Sequence, residues 1–272
     1  MGTLYLVATP IGNLEDITLR ALRVLAEVRL IAAEDTRRTR KILTRYEISS
    51  PIMSYHEHNK GIRLEPILQA LRKGDVALVS DAGTPALSDP GSELVRAVLE
   101  SGHKVVPIPG ASAPVAALVA SGLPTDSFVF LGYLPRRRTD RKALLGSMAR
   151  ERRTMLAFEV PHRLRESLED LVEAMGPDRQ GAACRELTKI HEEILRGTLG
   201  TVRDHFKKTE PRGEFTLVIG GVSGRAIWDE ANVRQTMRDM LRQGASRSDA
   251  ARRVAALSGW PRRKVYSLDM EE

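Results

Sequence analysis

The sequence of 272 residues contains a single cysteine, Cys184. One cysteine excludes an intramolecular disulfide and a cysteine-rich zinc site, and we expect it to be a small buried side chain. No apolar run is long enough to cross a bilayer, and the first residues lack the basic segment and cleavage site of a signal peptide. We therefore expect a cytoplasmic protein with no membrane partner.

Several motifs that define enzyme classes are also absent. Without G-x-x-x-x-G-K-[ST] or G-x-G-x-x-G, the sequence supports neither a nucleoside triphosphate site nor an ordinary dinucleotide site. There is no H-E-x-x-H motif either. His56 and His58 would share one face of a strand, but no third ligand is evident nearby, which favours a hydrogen-bonding or substrate-facing role over zinc. We predict no metal.

The net charge of +7 favours a polyanionic partner, and the basic residues are clustered. The clusters lie at residues 37–41, 136–153 and 262–264. Any one of them is also compatible with a solvated helix face. Three in one chain favour contact with phosphate groups.

The first 120 residues alternate between strand-like and helical segments. Strands are predicted at 3–8, 30–33, 76–80 and 105–108, with helices at 16–27, 36–43, 61–73, 94–101 and 114–120. This alternation predicts a parallel sheet covered on both faces, with a ligand site beyond the carboxyl ends of its strands. Those ends carry Thr9-Pro10, Glu34-Asp35, Asp81-Ala82-Gly83 and Pro109-Gly110.

The pattern changes near residue 120. Strands are predicted at 128–134, 153–158, 181–184 and 215–219, with helices at 138–151, 162–175 and 199–208 between them. Residues 246–266 read as helix, glycine turn and helix. They resemble a helix-turn-helix with a basic second helix, and a dimerisation or capping hairpin is about as compatible with them. We predict α/β domains at 1–120 and 121–224, and a helical unit at 225–272.

The most distinctive stretch is the loop at residues 81–91, DAGTPALSDPG. Glycine permits close approach of backbone to a ligand, and proline stiffens a loop that must stay out of the crevice. The segment PGASAP at residues 109–114 has the same character one strand later. A slot lined by such small residues suits a purine ring and its ribose, although both stretches can also be read simply as βα loops rich in glycine and proline.

Nine characteristic stretches follow one another along almost the whole chain: ATPIGNLEDITLRAL, EDTRRTRKIL, SYHEHN, VSDAGTPALSDPG, VPIPGASA, FLGYLPR, FEVPHRL, CRELTKIHEE and RGEFTLVIGG. In these stretches the chain resembles the ribosomal RNA small subunit methyltransferase I family, within the tetrapyrrole-methylase superfamily. The resemblance implies two α/β domains of the tetrapyrrole-methylase (class III S-adenosylmethionine methyltransferase) type with a cleft between them, plus a small helical C-terminal extension.

The same resemblance implies 2′-O-methylation of a decoding-centre cytidine in 16S rRNA, with S-adenosyl-L-methionine as donor, the small ribosomal subunit as partner and a homodimer. Two alternatives are a tetrapyrrole-type small-molecule methyltransferase and a non-catalytic nucleic-acid-binding protein. The superfamily's tetrapyrrole-modifying members have a Gly-x-Gly-Pro-Gly turn where this chain has Thr9 to Asn13, which argues against a porphyrinoid substrate.

A ribose hydroxyl needs a proton acceptor, and the predicted crevice offers several candidates. Asp16 and Asp35 are better explained as helix caps. We predict that Asp81 or Glu159 assists deprotonation. By analogy with the superfamily, the cofactor residues are Thr9, Pro10, Asp81, Ala82, Gly83, Thr84, Pro85, Ser112, Ala113, Leu131, Phe158, His162, Glu214, Phe215 and Thr216. The RNA-binding residues are predicted to be Arg37, Arg38, Arg40, Lys41, His56, Arg136 and Arg137.

Overall fold

The computed structural model describes residues 2–222 and 230–268. The chain forms two compact units that divide after Gly221. Within the described residues, no helix is long and apolar enough to span a membrane. The predicted boundary at 224 falls within residues 223–229, which lie outside the described part. The boundary at 120 stays a prediction, because the first unit contains both predicted α/β halves.

The first sheet holds five parallel strands in the order β3-β2-β4-β1-β5. Its strands and helices are β1 (Thr3–Val7), α1 (Leu19–Glu27), β2 (Leu30–Ala33), α2 (Thr36–Arg45), β3 (Ile52–Ser54), α3 (Lys60–Lys73), β4 (Val76–Val79), α4 (Ser92–Glu100), β5 (Lys104–Ile108) and α5 (Ala113–Ser121). The predicted parallel sheet is confirmed. Every residue of β4 is buried, as expected for a strand covered on both faces.

The second sheet has the order β6-β7-β10-β8-β9, in which β6 and β7 are parallel and the other pairs are antiparallel. Its elements are β6 (Phe128–Tyr133), α6 (Arg138–Met148), β7 (Thr154–Glu159), α7 (Pro161–Met175), β8 (Gln180–Arg185), β9 (Glu193–Thr198), α8 (Leu199–Lys208) and β10 (Phe215–Ile219). A core that includes Met155, Leu168 and Phe206 packs beside it.

Several local predictions need correction. Strands β3 and β9 were not expected. The helix predicted from Asp16 begins at Leu19, and its cap is Thr18, whose hydroxyl accepts a hydrogen bond from the Ala21 N–H. Asp16 instead lies in a short 3₁₀ helix at Leu14–Asp16. The capping role of Asp35 is confirmed, because its carboxylate accepts a hydrogen bond from the Arg37 N–H at 2.8 Å.

The second unit contains α9 (Glu230–Arg242), α10 (Arg247–Ser258) and α11 (Arg262–Tyr266). Its core includes Met237, Val254, Trp260 and Val265. Ser246 caps α10 by accepting a hydrogen bond from the Asp249 N–H, and Gly259 ends the helix in the left-handed conformation. The described part of the predicted helical unit is therefore helical, with its own buried cluster.

Candidate active site

A cleft of about 330 Å³ opens in the first unit at the carboxyl ends of the parallel strands. That volume lies within the range of small-molecule sites. Eleven of the predicted cofactor or catalytic residues line it: Asp81, Ala82, Gly83, Thr84, Ser112, Ala113, Phe158, Glu159, Glu214, Phe215 and Thr216. Residues from both sheets therefore meet at one cleft, although Glu159 and Thr216 lie in β7 and β10, far from the first sheet in sequence.

Five predicted cofactor residues do not line the cleft, namely Thr9, Pro10, Pro85, Leu131 and His162. Thr9 is buried, and its backbone exchanges two hydrogen bonds of 2.9 Å with Gly83. Its hydroxyl donates to the Ser80 carbonyl at 3.2 Å. Thr9 therefore supports the floor of the cleft from beneath, whereas His162 is exposed on the first turn of α7.

Gly83 forms part of the cleft floor in a conformation that favours glycine. Its φ is +76°, and a Cβ at this position would lie 3.3 Å from Ile11 Cγ2. A side chain there would be strained and would also occupy the space above the floor. Gly83 therefore presents only backbone atoms to the cleft.

Three carboxylates gather at one wall. Asp81 accepts a hydrogen bond from the Asp35 N–H at 2.9 Å and lies 3.6 Å from Arg38 Nε. Glu34 in turn accepts a hydrogen bond from the Asp81 N–H at 3.2 Å. Burial raises the pKa of Glu34, and the charge of Asp81 adds to the rise. Asp89 completes the group.

Asp89 is the titratable residue of this wall that the sequence prediction missed. Burial, together with the charges of Glu34 and Asp81, raises its pKa to about 6, although a hydrogen bond with Ser80 opposes the rise. The loop that carries it has positive φ at two non-glycine residues, Ala86 (66°) and Ser88 (63°). Backbone strain of this kind persists only where the surrounding structure enforces it. The sequence signal that could have identified Asp89 is its position directly before Pro90-Gly91, within the distinctive loop at residues 81–91.

Glu159 has a different environment. It is 1% exposed, its carboxylate lies 2.6 Å from Arg163 Nη2, and it accepts hydrogen bonds from the Ser167 hydroxyl and the Val160 N–H. These partners fix the turn from β7 into α7. The carboxylate is therefore engaged on several sides by the protein itself.

The rim of the cleft is basic along α2. Arg38 lines the cleft, while Arg37, Arg40 and Lys41 are exposed on the same helix. Arg37 also pairs with Asp35 at 2.8 Å, and that hydrogen bond is the main reason that the pKa of Asp35 is lowered to about 2. The predicted α2 cluster thus combines one residue facing the cleft with three on the surface.

His56 is part-buried, and its Nε2 lies 3.1 Å from Asn59 Nδ2. No group of three or more potential metal ligands occurs in the described part of the chain. Nδ1 of His56 is buried and has no hydrogen-bond partner among the described residues. A hydrogen-bonding or substrate-facing role for His56 stays a prediction.

The basic cluster at 136–153 divides in two. Arg136 and Arg137 are exposed just before α6. Arg141 is fully buried and pairs with Asp170, also fully buried, at 2.7 Å. Arg141 is therefore neither on a solvated helix face nor available to a phosphate, contrary to the expectation for this cluster. The buried carboxylate of Asp170 on α7 holds its guanidinium in the interior.

Other residues of the cleft were also missed, and Cys184 and Lys189 are two of them. Cys184 is 1% exposed on β8, and its thiol donates weakly to the Ala117 carbonyl, so the expectation of a buried cysteine is confirmed. Burial raises the pKa of this thiol to about 11. Lys189 also lines the cleft and pairs with Glu186 and Glu214 at 2.8 and 3.0 Å.

Comparison with known proteins identifies the family. Its profile, Tetrapyrrole (Corrin/Porphyrin) Methylases, matches residues 3–203. The ribosomal RNA small subunit methyltransferase I of Synechocystis sp. is 49% identical over 274 residues, which cover 100% of this chain and 98% of the relative. The chain belongs to the ribosomal RNA small subunit methyltransferase I family. The resemblance and the methyltransferase class predicted from the sequence are confirmed.

Other members of this family differ in length. The ribosomal RNA small subunit methyltransferase I of Thermotoga maritima is 47% identical over 222 residues, which cover 81% of this chain and 99% of the relative. Among solved structures, uroporphyrin-III C-methyl transferase from Thermus thermophilus, complexed with S-adenyl homocysteine, matches at a TM-score of 0.56 and 22% identity. That match covers 80% of this chain and 97% of the other. The predicted fold class is confirmed.

Proposed function

We propose that this protein transfers a methyl group from S-adenosylmethionine to the ribose 2′-hydroxyl of a cytidine in the decoding centre of 16S rRNA. The observation that carries the proposal is a cleft with a small-residue floor that adjoins a row of basic side chains on α2. The floor suits a nucleoside, and the basic row suits an RNA backbone. Similarity over the whole chain to a relative named as a ribosomal RNA small subunit methyltransferase supports small-subunit rRNA as the substrate.

The cleft residues fit the cofactor. The space over Gly83 is one that a Cβ would narrow, and Ala82, Ser112 and Ala113 leave room for a flat ring. We assign the floor to these four residues and the opposite wall to Phe158, Phe215 and Thr216. When bound, S-adenosylmethionine supplies an electrophilic methyl group, which is the part of the chemistry that the protein cannot provide.

The protein's part in the reaction is to orient the ribose and accept a proton. We propose that a carboxylate oxygen of Asp89 accepts the proton of the ribose 2′-hydroxyl. The pKa of about 6 leaves this carboxylate ionised at neutral pH, yet basic enough to take a proton. Asp81 is bound to the Asp35 N–H and faces Arg38, so it holds the acidic wall in place. Glu159, engaged by Arg163 and Ser167, is assigned a positioning role.

We assign phosphate contacts to Arg37, Arg38, Arg40 and Lys41, with Arg136 and Arg137 and the ring of His56 as further contacts. These contacts would position the RNA without reading its sequence. A homodimer and a cytoplasmic location, both implied by the family, belong to the same proposal.

The test is methyl transfer from radiolabelled S-adenosylmethionine to small ribosomal subunits that lack the modification. Nucleoside mass spectrometry should then show 2′-O-methylcytidine. Free porphyrinogens serve as the competing substrate class, and calorimetry with S-adenosylmethionine serves as the check on cofactor binding. Label on a base, label on a porphyrinogen alone, or failure to bind the cofactor would each overturn the proposal.

A further inference from the structure

The helical second unit carries a much higher density of positive charge than the first. Residues 230–268 contain nine arginines and lysines against three acidic residues, a net charge of +6, whereas residues 1–222 contain thirty-two against twenty-eight. The last four residues, which lie outside the described part, add three carboxylates. The described helices of the second unit are therefore more basic, for their size, than the first unit taken as a whole.

Within residues 230–268, most of this charge has no carboxylate partner. Arg252 pairs with Asp249 at 2.7 Å, and Arg234 pairs with Glu230. In the described residues, no carboxylate pairs with six other cations, which are all exposed: Arg242, Arg247, Arg253, Arg262, Arg263 and Lys264. Among these, Arg247 donates to the backbone carbonyls of Tyr266 and Leu268. Unpaired guanidinium groups on a folded surface are well suited to bind phosphate, because each offers several N–H donors in a fixed plane.

The packing of the helices holds these cations on a defined scaffold. Arg262 donates to the Ser248 hydroxyl at 3.0 Å, which connects the start of α11 to the first turn of α10. Lys264 Nζ lies 4.0 Å from the centre of the Trp260 ring, and Trp260 is buried in the core of the unit. On α10, Val254 faces the core, whereas Arg253 is exposed. Ordered positions reduce the entropy cost of phosphate contacts.

The surface is poorly suited to an apolar partner. Leu257 and Tyr266 are the large hydrophobic side chains exposed on the described helices, and both are only about half exposed. A bilayer or an obligate protein interface requires a larger apolar patch. The charge and the scarcity of exposed apolar groups together favour a polyanion.

We propose that this second unit is a phosphate-binding module that grips the RNA backbone of the small subunit, and that Arg253 and Arg263 are two of its contacts. The proposal rests on the proposed function for the choice of RNA. Its role is affinity rather than chemistry, since the Thermotoga maritima relative matches only 81% of this chain over 99% of its own length. A protein of about the first unit's size thus suffices for membership of the family.

The experiment uses the full-length chain and small ribosomal subunits that lack the modification. Arg253→Gln/Arg263→Gln should bind the subunit about tenfold more weakly at moderate salt, with a salt slope lower by roughly 1.4 to 1.8 for the two lost contacts. The methylation rate at saturating subunit should stay that of the unaltered protein. Arg253→Lys/Arg263→Lys keeps the charge and should restore most of the slope. Thermal melts of each variant confirm that the helices are folded.

Arg72→Gln/Lys73→Gln is the matched control, because it removes two exposed charges from α3 of the first unit. Three results would overturn the proposal. The Arg253→Gln/Arg263→Gln variant could bind the subunit as tightly as the control does, or it could change the oligomeric state of the protein in sedimentation while its affinity for the subunit stays the same. Duplex DNA could also compete with the subunit for the protein more strongly than RNA does. Binding is scored separately from methyl transfer. If the unaltered protein binds subunits but does not methylate them, the proposed function is wrong, while the proposal that the second unit binds the RNA backbone still stands.

Discussion

Thr9 and Gly83 exchange two backbone hydrogen bonds of 2.9 Å, so the first loop of the chain supports the floor of the cleft. This pairing holds Gly83 at a φ of +76°. We predict that Gly83→Ala lowers the unfolding free energy by about 1 kcal/mol and weakens S-adenosylmethionine binding at least tenfold, since the methyl group is both strained and inside the cleft. Calorimetric titration and a thermal melt measure the two effects.

Gly122→Ala is the control for that substitution. Gly122 has a φ of +78° and no neighbour within 4 Å of an added Cβ. It should lose comparable stability while cofactor affinity stays unchanged. Equal loss of affinity in both variants would contradict a role for the Gly83 floor.

Asp89→Asn should reduce the methylation rate by a factor of about 10² to 10⁴ without weakening cofactor binding, because it removes the proposed proton acceptor. In the unaltered protein, the carboxylate forms as pH rises through its raised pKa of about 6. The rate should therefore fall about tenfold per pH unit below 6 and level off above it. The Asn variant should lose this rise. Single-turnover rates between pH 5 and 8 provide the measurement, and an unchanged profile would rule out the assignment.

Glu159→Gln should act mainly on stability. It leaves the guanidinium of Arg163, which is 13% exposed, without the carboxylate that neutralises it. Removing one partner of such a pair costs roughly 3 kcal/mol. Arg163→Met in the same chain should recover part of the loss. Urea unfolding measures the free energy, and a large fall in rate with full stability would instead support the catalytic role first considered for Glu159.

Arg40→Gln/Lys41→Gln tests the basic rim on α2. Both side chains are exposed, and no carboxylate of the described residues pairs with them. The salt slope of subunit binding should fall by roughly 1.4 to 1.8, with the rate at saturation unchanged. The Arg72→Gln/Lys73→Gln variant again provides the comparison, and indistinguishable slopes would remove α2 from the RNA interface.

Arg38→Gln should behave differently, because Arg38 lies 3.6 Å from Asp81 as well as at the rim. We expect it to lower both affinity and rate. Separate measurement of subunit affinity and single-turnover rate distinguishes the two effects. A variant that loses affinity alone would place Arg38 with Arg40 and Lys41.

Local sequence patterns determined much of the fold. The uninterrupted apolar residues of β4 predict a strand buried on both faces, and Asp35 before α2 predicts a cap. Strand β3 has only three residues, and β9 is a part-buried edge strand that carries Glu193 and Arg196. Neither gives a clear alternation of apolar and polar positions, which explains why both were missed.

The site was harder to predict than the fold, because its chemistry depends on residues distant in sequence. The pKa of Asp89 is raised by burial and by Glu34, fifty-five positions away. Arg141 looked like part of a surface cluster, yet Asp170 on α7 holds it in the interior. Electrostatic environments of this kind arise only when the chain has folded.

The alkylation of Cys184 can report how often the native protein unfolds locally. It is the only thiol of the chain, it is 1% exposed, and its pKa is about 11, so the reactive thiolate is almost absent in the native state at neutral pH. Alkylating reagents therefore reach it chiefly when β8 leaves the second sheet. The rate of alkylation therefore measures the frequency of this local unfolding. A ligand that fills the cleft beside the thiol should lower that rate.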